Sequence, residues 1–149
     1  MGYCYMVNTK EAQKWQKLAD MDLKTAEYLK DMKPLPVEII CYHCQQSAEK
    51  YLKGYLVFCG MVPPRMHDLD ELCKLCSKYS DTFNNIADQC SDLTAYGVQP
   101  RYPTELTLDE EDMQQALKSA KMVKDFVVII MQEKIEQEKK QHESKSQDE

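Results

Sequence analysis

A chain of 149 residues with 43% apolar and 30% charged side chains reads as one ordinary domain, long enough to close its own core. Its formal net charge of −6 argues against a general nucleic-acid coat, which needs a basic surplus, but leaves room for a local basic patch. Lys and Arg total 19, yet only Arg65 and Arg101 are arginine, so guanidinium forks for phosphate are confined to two positions.

Four glycines and six prolines leave few turn signals, and strand-like alternation is scarce, so the expected fold class is all-α with long elements. No N-terminal apolar run suits a signal peptide. The longest apolar segment, Phe126–Met131, falls far short of the ~20 residues of a membrane span. Seven cysteines without a secretion signal suggest reduced thiols and a cytoplasmic location, and an odd number excludes complete internal pairing.

Residues 1–10 form an apolar leader that either packs on the domain or is disordered. A first helix is expected from Asn8 or Thr9, either of which can cap it, to about Met32. Its stripe is Trp15, Leu18, Ala19, Leu23, Ala26 and Leu29. Asp22 falls inside that stripe, where a carboxylate must be paired or hydrogen-bonded. Lys33-Pro34-Leu35-Pro36 stops the helix.

A second helix follows from Val37 to about Cys59, with Gly60 as its C-terminal cap and Pro63-Pro64 beyond. It reads as two-faced. Cys41, Cys44, Ala48, Leu52 and Tyr55 fall on one side. Gln46, Lys50 and Lys53 fall on the other within about 60°, with Tyr42 and Glu49 at the edges. The polar stripe is the first candidate for ligand binding. Asp22 and Lys50 or Lys53 are candidate partners, which would make the stripe an interior network with Glu49 instead.

Asp68 with Glu71 marks the start of a third helix, whose buried face is Leu69, Leu72, Cys73, Cys76 and Tyr79. A fourth helix is expected over about Thr82–Ala95, carrying Phe83, Ile86, Ala87, Cys90 and Leu93. The segment 96–103 has a glycine and two prolines, so it reads as a rigid loop holding Arg101 and Tyr102. Thr107-Leu108-Asp109-Glu110 is a second capping-box signature. It opens a last helix with Met113, Ala116, Leu117, Ala120, Val123, Val127, Ile130 and Met131. Residues 134–149 are charged and nearly free of apolar anchors, and read as a frayed helix and disordered tail. The globular domain therefore spans about residues 11–133.

Cys41-x-x-Cys44 and Cys73-x-x-Cys76 have the spacing of zinc pairs. Both lie inside amphipathic helices beside alanine and leucine, where cysteine acts as a small hydrophobe, so neither a metal nor a cofactor is expected. Cys44 and His43 are sequence neighbours about 100° apart on a helix and cannot pair with each other. His67, just before a helix N-terminus, reads equally well as a base, a hydrogen-bond donor or a simple staple. Arg101 beside Tyr102 suits a phosphate and a stacked base, or a structural tie to Asp22 or Glu49.

Four segments in order resemble the HEPN domain family. They are Ala19-x-x-Asp22-Leu23-x-x-Ala26, Cys44-Gln45-Gln46-Ser47-Ala48-Glu49-Lys50-x-Leu52-Lys53, His67-Asp68-Leu69-x-x-Leu72 and Arg101-Tyr102-Pro103. The resemblance covers roughly residues 11–133. It implies an up-and-down bundle of about five helices, usually homodimeric and linked to nucleotides or RNA. It also implies a frequent partner, a small nucleotidyltransferase, in toxin–antitoxin or defence systems. Relatives that cleave RNA without metal carry an arginine followed four to six residues later by a histidine. Here the histidine after Arg101 is His142, in the tail. The reading therefore leans to a non-catalytic, dimeric binding module with Gln46, Lys50, Lys53, Arg101 and Tyr102 as ligand-binding residues. The alternatives are a metal-independent ribonuclease using His67 and Arg101, and a structural interaction domain without ligand.

Overall fold

The computed structural model describes residues 2–97 and 107–148, and among these it is an all-α bundle. The helices are α1 (Gly2–Leu29), α2 (Val37–Phe58), α3 (Leu69–Ser77), α4 (Ala87–Thr94) and α5 (Glu110–Gln147). Two 3₁₀ turns, Asp81–Ile86 and Ala95–Gly97, flank α4.

α2 is the central element. It runs antiparallel to α1, and small residues set how closely the two helices pack. Ala12, Ala19 and Ala26 recur every seven residues and are fully buried. A Cβ on Gly54 would lie 3.0 Å from the Trp15 Cβ, so glycine at this point lets α1 come close. The Ser47 hydroxyl donates to the Ala19 carbonyl at 2.8 Å, which satisfies this buried polar group at the contact. On its other sides α2 packs against α3 and α5 through Leu52, Tyr55, Leu56 and Phe58. The Tyr55 ring lies 4.5 Å from that of Phe83, which in turn meets Phe126 edge-on at 4.9 Å.

α2 ends as its sequence requires. Gly60 takes φ +86°, the left-handed region that L side chains avoid. Its N–H donates to the Val57 carbonyl and that of Met61 to Leu56, closing a Schellman motif. Residues 59–68 then carry the chain back along α2, which brings His67 level with Gln45 and Glu49.

Several elements differ from expectation. α1 begins at Gly2, well before Asn8 or Thr9. α1 ends at Leu29, short of Met32, and Leu18 lies on the solvent side, since helix α1 buries only the arc that faces α2 and α5. Tyr79 lies beyond the end of α3 and is exposed, as is Ala87. The fourth helix opens with a 3₁₀ turn, in which Phe83 and Ile86, three residues apart, eclipse and are both buried. Asp109, not Thr107, caps α5, and its box partner is Asp112 at 2.8 and 3.0 Å. α5 continues to Gln147, where a frayed helix and disordered tail were expected. Its Glu, Lys and Gln residues are strong helix formers even without apolar anchors.

Candidate functional site

The two-faced reading of α2 does not hold. Glu49 and Lys53 are both buried, together with Gln45, because α2 is enclosed on nearly every side. A buried charge must find its partner within the protein. α2 meets that demand with two separate polar clusters.

The first cluster joins α1 to α2. Asp22 accepts from His43 Nδ1 at 3.0 Å through one carboxylate oxygen and from the Lys50 ammonium through the other. His43, Lys50 and Asp22 are half-buried, and the Tyr42 ring meets the imidazole edge-on at 5.7 Å. Of the two lysines expected to meet Asp22, Lys50 does so.

The second cluster joins α2 to the returning segment before α3. Glu49 sits at its centre. His67 Nδ1 is 2.9 Å from Glu49 Oε1, Gln45 Nε2 is 3.3 Å from the same oxygen, and Lys53 Nζ is 3.4 Å from Oε2. The Gln45 amide also donates to the His67 carbonyl at 3.1 Å and accepts from Gln46 at 2.7 Å. Buried Gln45 thus uses both donors and its oxygen. Residues 45, 49 and 53 recur every four positions, so one line on the helix supplies the cluster.

The imidazole of His67 is the open part of this arrangement. Its side chain is 66% exposed, against 6% for Glu49 and 9% for Lys53. An ionised carboxylate accepts only, so Glu49 holds the Nδ1 proton and turns Nε2 outward. A buried anion bracing an exposed imidazole, with a buried ammonium behind it, gives a small polar mouth that can bind or exchange a proton with a ligand. Gly97 borders this mouth. A Cβ there would lie 3.1 Å from the Gln45 side-chain amide carbon, so a larger residue would press on the Gln45 amide.

The structure therefore groups Gln46, Lys53, Glu49 and His67, and assigns Lys50 and Asp22 to the other cluster. Arg101 and Tyr102 lie outside the described residues. Sequence reasoning gave Gln45 no role of its own and weighed His43 only as a neighbour of Cys44. Gln45 carries a legible signal, its spacing of four and eight from Glu49 and Lys53. The pairing of His43 with Asp22 depends on the packing of α1 and has no local signature.

The cysteines behave as core. Cys41, Cys44, Cys73 and Cys76 are buried, and burial pushes the Cys41 thiol up to about 12 and the Cys44 and Cys76 thiols upward as well. Cys41, Cys44 and Cys76 therefore do not supply a thiolate nucleophile at neutral pH. Among the described residues no group of three or more His, Cys, Asp or Glu side chains is placed to hold a metal ion.

Comparison with known proteins matches the HEPN domain family over residues 12–135, an interval that contains both clusters and the core of all five helices. The chain belongs to the HEPN domain family. A solved structure, the crystal structure of ST0689, an archaeal HEPN homologue, shares the fold with a TM-score of 0.62 at 24% identity. The match covers 80% of this chain and 97% of that one. No curated protein matches the sequence. The HEPN segments legible in the sequence acquire physical roles here. Ala19 and Ala26 are contact points for α2, Asp22 is the partner of Lys50, and Glu49 is the partner of His67 and Lys53. No helix among the described residues is long and apolar enough to cross a membrane.

Proposed function

We propose that this HEPN chain is a dimeric, nucleotide- or RNA-linked binding module of the cytoplasm that works beside a small nucleotidyltransferase in a toxin–antitoxin or defence system. The observation that carries the binding reading is the exposed His67 imidazole, aimed outward by buried Glu49 with Lys53 and Gln46 alongside. An imidazole held in one orientation loses little freedom when it meets a phosphate or a base edge. Arg101 and Tyr102 belong to the proposal because they follow Gly97 within five residues, and Gly97 packs on Gln45. An arginine fork and an aromatic face would complement the imidazole for a phosphate and a base. Lys50 is engaged by Asp22, so its contribution to binding is the weakest of the stripe.

Calorimetry on the full chain with ATP, AMP and a short RNA tests the proposal. Binding at or below about 1 mM is expected for at least one of them. His67→Ala and Arg101→Ala should each weaken it at least tenfold, about 1.4 kcal/mol. No heat with any of the three would leave a structural interaction domain as the reading. Binding unchanged in both variants would remove the site assignment.

The same Glu49–His67 pair supports a second reading, a metal-independent ribonuclease in which His67 takes the proton of a 2′-hydroxyl and Arg101 steadies the phosphate. RNA cleavage by metal-free protein, lost in a folded His67→Ala variant, would establish it. Absence of cleavage by the pure wild-type chain would discard it.

A further inference from the structure

Helices α1 and α5 run antiparallel, and between them lies a groove of about 370 Å³ floored by Tyr51 of α2. Gln13, Gln16, Lys17 and Asp20 line it from α1 at i, i+3, i+4 and i+7, one face of that helix. Lys124 lines it from α5. Tyr51 is 1% exposed, yet its hydroxyl has no hydrogen-bond partner among the described residues. What remains open of this side chain is the hydroxyl, and it faces the groove. A buried hydroxyl without a protein partner calls for a group that reaches it from outside. Burial, and then the Asp20 and Asp125 carboxylates, push the phenol upward, so it stays protonated and donates.

Other donors at the groove are equally underused. Gln16 Nε2 donates to the Met131 sulfur at 3.3 Å, a weak acceptor. Asp20 is neutralised by Lys124 at 2.7 Å and Lys24 at 2.9 Å. Lys17 enters no ion pair among the described residues, so it is a surplus cation in a chain of net charge −6.

We infer that this groove binds a small oxyanion, a carboxylate or a phosphate, which accepts from the Tyr51 hydroxyl and pairs with the Lys17 ammonium. A charged acceptor also offers the Gln16 amide a stronger bond than the Met131 sulfur does. The volume lies near the lower end of the ~300–1,000 Å³ range of small-molecule sites, which suits a compact ligand. A nucleic-acid backbone would need several free cations, and the groove has Lys17. The site is separate from the His67 mouth. Glu49 and Tyr51 are two positions apart on α2 and point about 160° apart, so the two openings lie on opposite sides of that helix. The inference goes beyond the nucleotide-linked reading and does not depend on it.

Nuclear magnetic resonance on the ¹⁵N-labelled full chain tests the groove. Inorganic phosphate and acetate are titrated separately, with ionic strength held constant by sodium chloride. Saturable amide shifts at residues 13–20 and 124–128, half-complete in the millimolar range, are expected for at least one anion. Saturation by either supports the site and names the group it takes. Tyr51→Phe should weaken binding about tenfold, the loss of a hydrogen bond to a charged group. The same change should leave the thermal midpoint in chloride buffer no lower than that of the wild type, because the hydroxyl holds nothing inside the fold. Lys17→Gln should weaken binding about threefold, as fits an exposed charge. Linear shifts with both anions, or shifts confined to the segment around His67, would overturn the groove and leave the His67 reading standing. So would saturation that Tyr51→Phe leaves unchanged. A lowered midpoint in Tyr51→Phe would also overturn it, since the hydroxyl would then already be spent within the fold.

Discussion

The two carboxylates on which α2 depends, Asp22 and Glu49, have similar partners but different surroundings. Each joins one histidine and one lysine. Around Asp22 both partners are half-buried and can recover water if the acid is removed. Around Glu49 the lysine is buried and cannot, whereas the histidine is mostly free. The same chemistry therefore makes a tie between helices at Asp22. At Glu49 it makes a braced group that faces solvent, and this is why the second cluster is the candidate site.

Removing each acid in turn measures that difference. Glu49→Ala should have the largest effect, roughly 3–5 kcal/mol by urea unfolding, because it leaves the Lys53 charge buried alone and deprives Gln45 of an acceptor. Adding Lys53→Met should recover part of the loss, since a paired charge replaced by apolar volume is often tolerated. Asp22→Ala should cost less, about 1–2 kcal/mol, because His43 and Lys50 can turn to solvent. A smaller cost at Glu49 than at Asp22 would refute the comparison.

Acid gives a smaller and separable effect. The Asp20 carboxyl is held below its ordinary value of 3.8 by Lys124 and then Lys24, and Glu27 below 4.5 by Lys30 and then Lys121. Both values are depressed in the folded state, so the stability they add is complete above the unfolded values. It is lost as pH falls from about 4.5 through the folded ones. A thermal midpoint that declines below about pH 4.5, with a shallower decline in Lys124→Ala, is the expected result. The smallest stability effect belongs to His67→Ala. Its side chain is largely exposed, and the change should stay within about 0.5 kcal/mol while ligand binding drops. A large loss of stability there would mark His67 as a staple for the segment before α3.

Much of the fold was legible because its signals are local. Pro34 and Pro36 end α1, Gly60 closes α2, Asp68 caps α3, and the apolar positions of α5 follow helical spacing. The site was legible in part. Glu49, Lys53 and Gln46 stood out by their spacing and His67 by its place before a helix, but burial reversed the meaning of the stripe. Leu18 was misplaced for the same reason, since a periodic stripe does not tell which arc of a helix meets a neighbour.

The sequence by itself determined the helical class, the helix ends near residues 37, 58 and 69, and the resemblance to the HEPN family, because propensity, caps and breakers act within a few residues. Only the tertiary structure decided that Lys50 belongs to Asp22 and Lys53 to Glu49. It also decided that His67 stands exposed at the mouth of a buried network. Those choices follow from which charges lose water when α1 and the returning segment close on α2, and desolvation is a property of the packed whole.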